Sequence, residues 1–272
     1  MKKFFSILFI ILLLAIQPAQ STIPLHADQV THGFYQNNNK INRSGSSWTP
    51  ASLAGNLIAW YKANDEAYSD GNAVTTFTDK SGNSRNLTPT LTTEPEFKVN
   101  IINGKSVYRF HSSLDSAKSG SDWLDKSTAK TYYFVVKIDG VQTGALFGSS
   151  DNDVLGLWLG SVTVFRSWTA GSGDFEDLTL DDSSAAFQLI TIVDNATTGA
   201  AGTWQVYQNN TLKDTSASRT PNDPDSFWLG CTGNSAAQGL DGDIAEAWVQ
   251  EGAASSAERT SAYAYVTAQY GV

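Results

Sequence analysis

Cysteine occurs once in the 272 residues, at Cys231. No internal disulfide and no multi-cysteine zinc or iron–sulfur centre can form. Histidine is almost as scarce. His26 and His32 lie in a polar N-terminal stretch, which leaves His111 as the sole imidazole of the chain's main body. A Ser–His–Asp arrangement would have to use it, and no Gly-x-Ser-x-Gly elbow is there to pair with it. His111 reads more simply as a polar residue at a strand end. No His-rich metal motif and no phosphate-cradling Gly loop appear. Cations are few: 18 Lys and Arg against 27 Asp and Glu give a net charge of −9, with no basic run anywhere. Phosphate backbones need a cationic face, so nucleic acid is excluded as a partner class. Beyond residue 16 no apolar stretch is long enough to span a bilayer, and no fixed-period repeat is present.

What is present begins with an address. Lys2 and Lys3 precede an apolar run from Phe4 to Ile16, followed by Pro18-Ala19-Gln20-Ser21. This is the three-part pattern of a secretory signal peptide, suited to cleavage after Ser21, with a run too short to cross a membrane; an uncleaved N-terminal anchor is the alternative reading. Loss of the two lysines would leave a net charge of about −11. Residues 22–47, with Asn37-Asn38-Asn39 and Ser44-Gly45-Ser46-Ser47, show no apolar periodicity and read as a flexible polar leader. The domain is expected over 48–272.

That segment changes character at once. Short runs rich in Val, Ile, Thr, Phe, Tyr and Trp predict strands at Asn56–Lys62, Ala73–Asp79, Ser106–His111, Thr131–Ile138, Ala145–Ser149 and Val154–Gly160. More follow at Val162–Trp168, Ala186–Asp194, Thr203–Asn209, Ser226–Thr232 and Asp243–Gln250. Turn formers such as Ser81-Gly82-Asn83, Asn103-Gly104 and Asp139-Gly140 separate them. Many short strands with few helices mean an all-β sandwich or barrel. One helix is signed by the capping box Ser255-Ser256-Ala257-Glu258, with Gly271 to close it and a Tyr263–Val266–Tyr270 stripe to pack on the sheet.

Two stretches carry a family resemblance. The first runs from Leu57-Ile58-Ala59-Trp60-Tyr61 through Asp70-Gly71-Asn72 to Phe77-Thr78-Asp79-Lys80-Ser81-Gly82-Asn83. Asn103-Gly104 and Tyr108-Arg109-Phe110 follow it. The second is Leu240-Asp241-Gly242-Asp243-Ile244-Ala245-Glu246 with Ser256-Ala257-Glu258-Arg259 and Tyr270-Gly271-Val272. Together they resemble the laminin-G-like, concanavalin A-like lectin/glucanase group. Phe77 stands where that group more usually has Trp, and His111-Ser112 replaces its Asp-Gly. The resemblance implies a concanavalin A-like jelly-roll sandwich of two antiparallel sheets with one short C-terminal helix. It implies no single function, because the fold hosts lectins, hydrolases, adhesion modules and structural domains.

Candidate chemistry is therefore weighed residue by residue. Glucanases of the group carry Glu-x-Asp-x-x-Glu on one strand. Asp241, Asp243 and Glu246 match the spacing, with the shorter Asp241 at the nucleophile position, where it would widen the carboxyl–carboxyl gap that retaining hydrolysis needs. Asp243 and Glu246 are the hydrolase candidates. Calcium takes 6–8 oxygens, and acidic loops at Asp151-Asn152-Asp153, Asp181-Asp182 and Asn222-Asp223-Pro224-Asp225 offer hard donors. Asp151, Asp153, Asp181 and Asp182 are the metal candidates, provided two loops converge. Sugars pack on indoles. Trp60, Trp158, Trp204, Trp228 and Trp248 sit in apolar strands and are expected in the core, whereas Trp123 and Trp168 border Gly/Ser-rich segments and are the candidate platforms.

The reading that joins these observations is an exported, non-catalytic recognition module. It would be secreted, periplasmic or displayed at the cell surface, and would bind a glycan or a surface protein. Two alternatives stay open: a structural component of a virion or cell-surface assembly, and a glycoside hydrolase.

Overall fold

The computed structural model describes residues 48–272 apart from 91–92, 112–114, 141, 150–153, 170–173, 219, 221–225 and 232–238. The signal-peptide and leader expectations fall on residues 1–47, outside the described residues. Fifteen strands form two antiparallel sheets. One sheet holds β1 (Leu57–Lys62), β3 (Glu96–Ile102), β4 (Lys105–His111), β6 (Lys130–Ile138), β11 (Gln188–Asp194), β12 (Trp204–Gln208), β13 (Thr211–Thr215) and β15 (Asp241–Glu251). The other holds β2 (Leu87–Pro89), β5 (Ala117–Ser119), β7 (Gln142–Ser149), β8 (Val154–Ser161), β9 (Val164–Thr169), β10 (Asp174–Thr179) and β14 (Phe227–Leu229). Helix α1 (Ser256–Tyr270) closes the chain. The domain is a jelly-roll β-sandwich with one C-terminal helix.

Residue alternation explains both faces of the larger sheet. On β6, Tyr132, Phe134, Val136 and Ile138 meet Phe147, Phe165 and Phe227 from the opposite sheet in the main core. The intervening Tyr133 and Val135 join Trp248, Tyr265, Val266 and Tyr270 in a second core beneath α1. The strand is therefore apolar on both sides, as a strand covered on both faces must be. Tyr133 stacks on Trp248 with ring centres 4.6 Å apart. The helical elements sit on this sheet: α1 against β11, and the short 3-10 turns at Pro50–Asn56 and Ala63–Asp65 against β1, β4 and β15. No helix among the described residues is long and apolar enough to cross a membrane.

Local chemistry fixes the boundaries. The Ser255 hydroxyl accepts from the Glu258 amide, the Glu258 carboxylate accepts from the Ser255 amide, and Gly271 ends the helix at φ 77. The buried stripe is Ala262, Tyr265, Val266 and Tyr270; the expected Val266 and Tyr270 lie in it, and the expected Tyr263 packs half-buried at its margin. Asn103 and Gly104, at φ 47 and 73, turn β3 into β4 as a two-residue hairpin that needs positive φ at both positions.

The segment Ala73–Asp79 is not the expected strand. Its single bridges run to Glu96 and Tyr61 of the larger sheet and, between them, to Leu87 of the smaller, so it crosses the edge between the sheets instead of lying in either. Asp79 anchors the crossing by accepting from the backbone amides of Trp60, Ser81 and Arg85 at 2.9–3.0 Å. The aromatic-x-Asp-x-Ser-Gly pattern is thus a backbone clamp. The expected strand Ser226–Thr232 is shorter, Phe227–Leu229, and Cys231 follows it, buried.

Candidate recognition groove

The acidic strand comes first, because its spacing invited a catalytic reading. Asp243 on β15 receives Arg109 of the neighbouring β4 through two bonds of 2.7 Å, from Nε and from Nη2. This bidentate pair holds both carboxylate oxygens. A β-bulge between Ile244 and Glu246 then turns the next carboxylate under α1. Glu246 is fully buried. Its oxygens accept from Trp60 Nε1 at 2.5 Å, from the Tyr265 hydroxyl at 3.0 and 3.1 Å, and from the Tyr270 hydroxyl at 2.6 Å. Burial pushes the Glu246 carboxyl above the ordinary glutamate range, against the pull of Tyr270, Lys62, Trp60 and Tyr265. A glycosidic oxygen has no path to it while α1 is docked. The two residues that share a spacing with glucanase acids are used here to fasten the helix and to pair two strands.

The other candidates are dispersed. Asp181 donates its backbone amide to Gln208 and pairs with Lys213 at 2.5 Å, while Asp182 accepts from the Ser184 amide and hydroxyl within a turn. Asp151, Asp153 and the 222–225 loop lie outside the described residues. Among the described residues no group of three or more His, Cys, Asp or Glu side chains is placed to hold a metal ion. Trp123 is half-buried, 5.3 Å from Phe227, with the Arg85 guanidinium 4.9 Å over its ring. Trp168 belongs to β9, where its backbone pairs with Phe175 and Val154, and its side chain lies outside the described residues. Of the tryptophans expected in the core, Trp204, Trp228 and Trp248 are buried, Trp60 is partly buried, and the side chain of Trp158 lies outside the described residues.

The described recess that gathers polar chemistry lies elsewhere, at the rim where the β3–β4 edge of one sheet meets the β2–β5 edge of the other. It is a groove of about 410 Å3 lined by Gly71, Ala73, Thr93, Glu94, Glu96, His111 and Asp115. Asp115 is its buried anchor, with only 2% of the side chain exposed. It accepts from the His111 backbone amide at 2.7 Å and from the Thr93 hydroxyl, and lies 3.3 Å from His111 Nδ1. The imidazole is half exposed and its Nε2 stands 3.5 Å from the Glu96 carboxylate, which also pairs with Lys98 at 2.7 Å. Gly71, at φ 80, brings the opposite wall close; a Cβ there would sit 3.3 Å from Glu96 Oε1.

Sequence reading had placed His111 at a strand end and stopped there. Its partners are 15 residues upstream and four downstream, and only the β3–β4 hairpin brings Glu96 beside it. The available signal was the replacement of Asp-Gly by His111-Ser112 within the resemblance.

No protein-family model and no curated protein sequence matches this chain. Solved structures do. Domain 4 of AbnA, a GH43 extracellular arabinanase from Geobacillus stearothermophilus in complex with arabinotriose, is similar at TM-score 0.55 and 17% identity, over 75% of this chain and 97% of that one. The binding domain of Paraclostridial Mosquitocidal Protein 1 is similar at TM-score 0.52 and 16% identity, over 76% of this chain and 51% of that one. A structure of botulinum neurotoxin type C, whose uptake by cells depends on interaction with two ganglioside molecules, is similar at TM-score 0.52 and 13% identity, over 82% of this chain and 54% of that one. This chain thus spans about half the length of the two toxin chains. At such identities the likeness is one of fold, and the fold it shows is a β-sandwich.

Proposed function

We propose that this chain is an exported, non-catalytic module that binds glycans, of the laminin-G-like type within the lectin-like sandwiches. The observation that carries the reading is the rim groove, where Glu94, Glu96, His111 and Asp115 line one recess. Sugar hydroxyls are donors that such acceptors can orient, and recesses with a few convergent polar groups are the usual form of small-ligand sites. The fold likeness to an arabinotriose-bound domain and to a ganglioside-dependent toxin supports a glycan over a protein ligand. The dismantled acid pair supports binding over hydrolysis, since Glu246 is enclosed and Asp243 is held by Arg109.

The test is a glycan array probed with the purified chain, with and without Ca2+, followed by calorimetry on the best ligand. Saturable binding that weakens on His111→Ala is expected. Retention of no glycan in any condition would overturn the reading.

A further inference from the structure

The groove has a mismatch of hydrogen-bonding groups at its mouth, and this mismatch defines a ligand class. A carboxylate can only accept, so the contact between Asp115 Oδ2 and His111 Nδ1 places the proton of the neutral imidazole on Nδ1. Nε2 then presents a lone pair, and 3.5 Å away it meets Glu96 Oε2, another acceptor. Two acceptors face each other with no donor between them. A ligand O–H or N–H fills the gap. Around this point Glu94 adds an exposed carboxylate, and Asp115 adds a buried one behind the ring. Asp241 stands opposite His111 in the β4–β15 register. Lys98 is engaged by Glu96 Oε1 at 2.7 Å, and Arg109, opposite Glu96 in the β3–β4 register, is engaged by both oxygens of Asp243.

Resting on the glycan-binding reading, we infer that the groove takes the donor-bearing part of a neutral or amino sugar and rejects acidic sugars. A vicinal hydroxyl pair or an ammonium group can donate to Nε2 and to the Glu96 carboxylate together. A carboxylate, sulfate or phosphate brings only acceptors and negative charge to a recess that already holds both. The site is therefore built for the opposite electrostatic class from one that reads sialylated or sulfated glycans through arginine.

The test compares three probe sets by calorimetry on the full chain: neutral arabino- and xylo-oligosaccharides, chitosan oligomers, and sialyl- or glucuronyl-oligosaccharides. Binding to the first or second set and none to the third is expected, with the two positive arms separating hydroxyl from ammonium recognition. Glu96→Gln replaces one acceptor oxygen by a donor and His111→Phe removes the lone pair but keeps a ring. Each should weaken binding on the order of tenfold, the factor expected for one lost hydrogen bond of average strength. Unchanged thermal unfolding of both variants separates loss of the site from loss of the fold.

Preferential binding of acidic glycans would overturn the inference and leave glycan binding standing. So would neutral binding that Trp168→Ala abolishes while His111→Phe and Glu96→Gln leave it intact, because the site would then lie on the other sheet. Absence of binding to every probe would remove both.

Discussion

Substituting Glu246 separates a structural carboxylate from a catalytic one. Glu246→Ala deletes the acceptor shared by Trp60, Tyr265 and Tyr270. Each buried donor left without a partner costs about 1–3 kcal/mol. Against this, the carboxylate's own desolvation penalty, several kcal/mol in real proteins, disappears with it. Three stranded donors at about 2 kcal/mol each, less that relief, leave an expected net loss of about 2–4 kcal/mol. In a domain of this size that lowers the melting temperature by roughly 10 °C, at about 2–4 °C per kcal/mol. Glu246→Gln retains one acceptor oxygen and the shape, so a smaller loss of about 1–2 kcal/mol is expected.

The pH dependence adds an independent sign. Burial raises the native Glu246 value above its ordinary 4.5. Between those two values the native state holds more protons than the unfolded state, so this group's contribution to stability falls as pH rises through the window. Glu246→Gln removes that slope. Urea unfolding followed by circular dichroism, repeated from pH 4 upward, measures all three quantities. A Glu246→Ala protein as stable as the parent, or a Gln variant as unstable as the Ala variant, would refute the latch.

Arg109→Ala is expected to cost about 2–3 kcal/mol, because it strands the buried Asp243 carboxylate, and Arg109→Lys should recover only part of this through a single-point contact. Gly242→Ala should fail to fold or lose more than about 2 kcal/mol, since its Cβ would fall 2.4 Å from the Lys137 carbonyl oxygen at φ 154; expression and melting temperature report it. Ser255→Ala removes the cap of α1 and should cost about 1 kcal/mol in urea unfolding. The Ser255 amide holds the Glu258 carboxyl below its ordinary 4.5, so this cap's contribution is complete above that value and is lost as pH falls through the native one.

The sandwich was legible because its central strands carry enough apolar residues to be read without a partner. β6 is buried at eight of nine positions, and β11 at all seven. The helix was legible through its cap, a purely local signal. What escaped were short or edge strands. β2 and β5 have three residues each, and β13 has only exposed and half-exposed side chains, so water-facing positions erase the contrast that marks a strand. The β12–β13 hairpin did leave a trace in Asn209-Asn210, both at positive φ, as a two-residue turn requires. Ala73–Asp79 was misread because buried residues such as Val74 and Phe77 mimic strand patterning while the backbone bonds leave for successive partners. The helix stripe Tyr263–Val266–Tyr270 packs as spaced, with Ala262 and Tyr265 carrying the buried face further than the sequence pattern showed.

The β15 carboxylates show why the site could not be read from spacing. Asp241, Asp243 and Glu246 are close in sequence, yet three different neighbours decide what each does. Asp241 sits at the strand end opposite His111, where burial and then the nearby Asp139 raise its carboxyl above the ordinary aspartate range. Asp243 meets an arginine, and Glu246 meets an indole and two phenols beneath a helix. A glucanase needs that strand face open to water and substrate, and α1 occupies it. With the helical elements of the described residues on the larger sheet, the polar recess lies at the rim. There His111 and Glu96 come together because two strands of one hairpin end side by side, a juxtaposition that belongs to the fold and to no segment of the sequence alone.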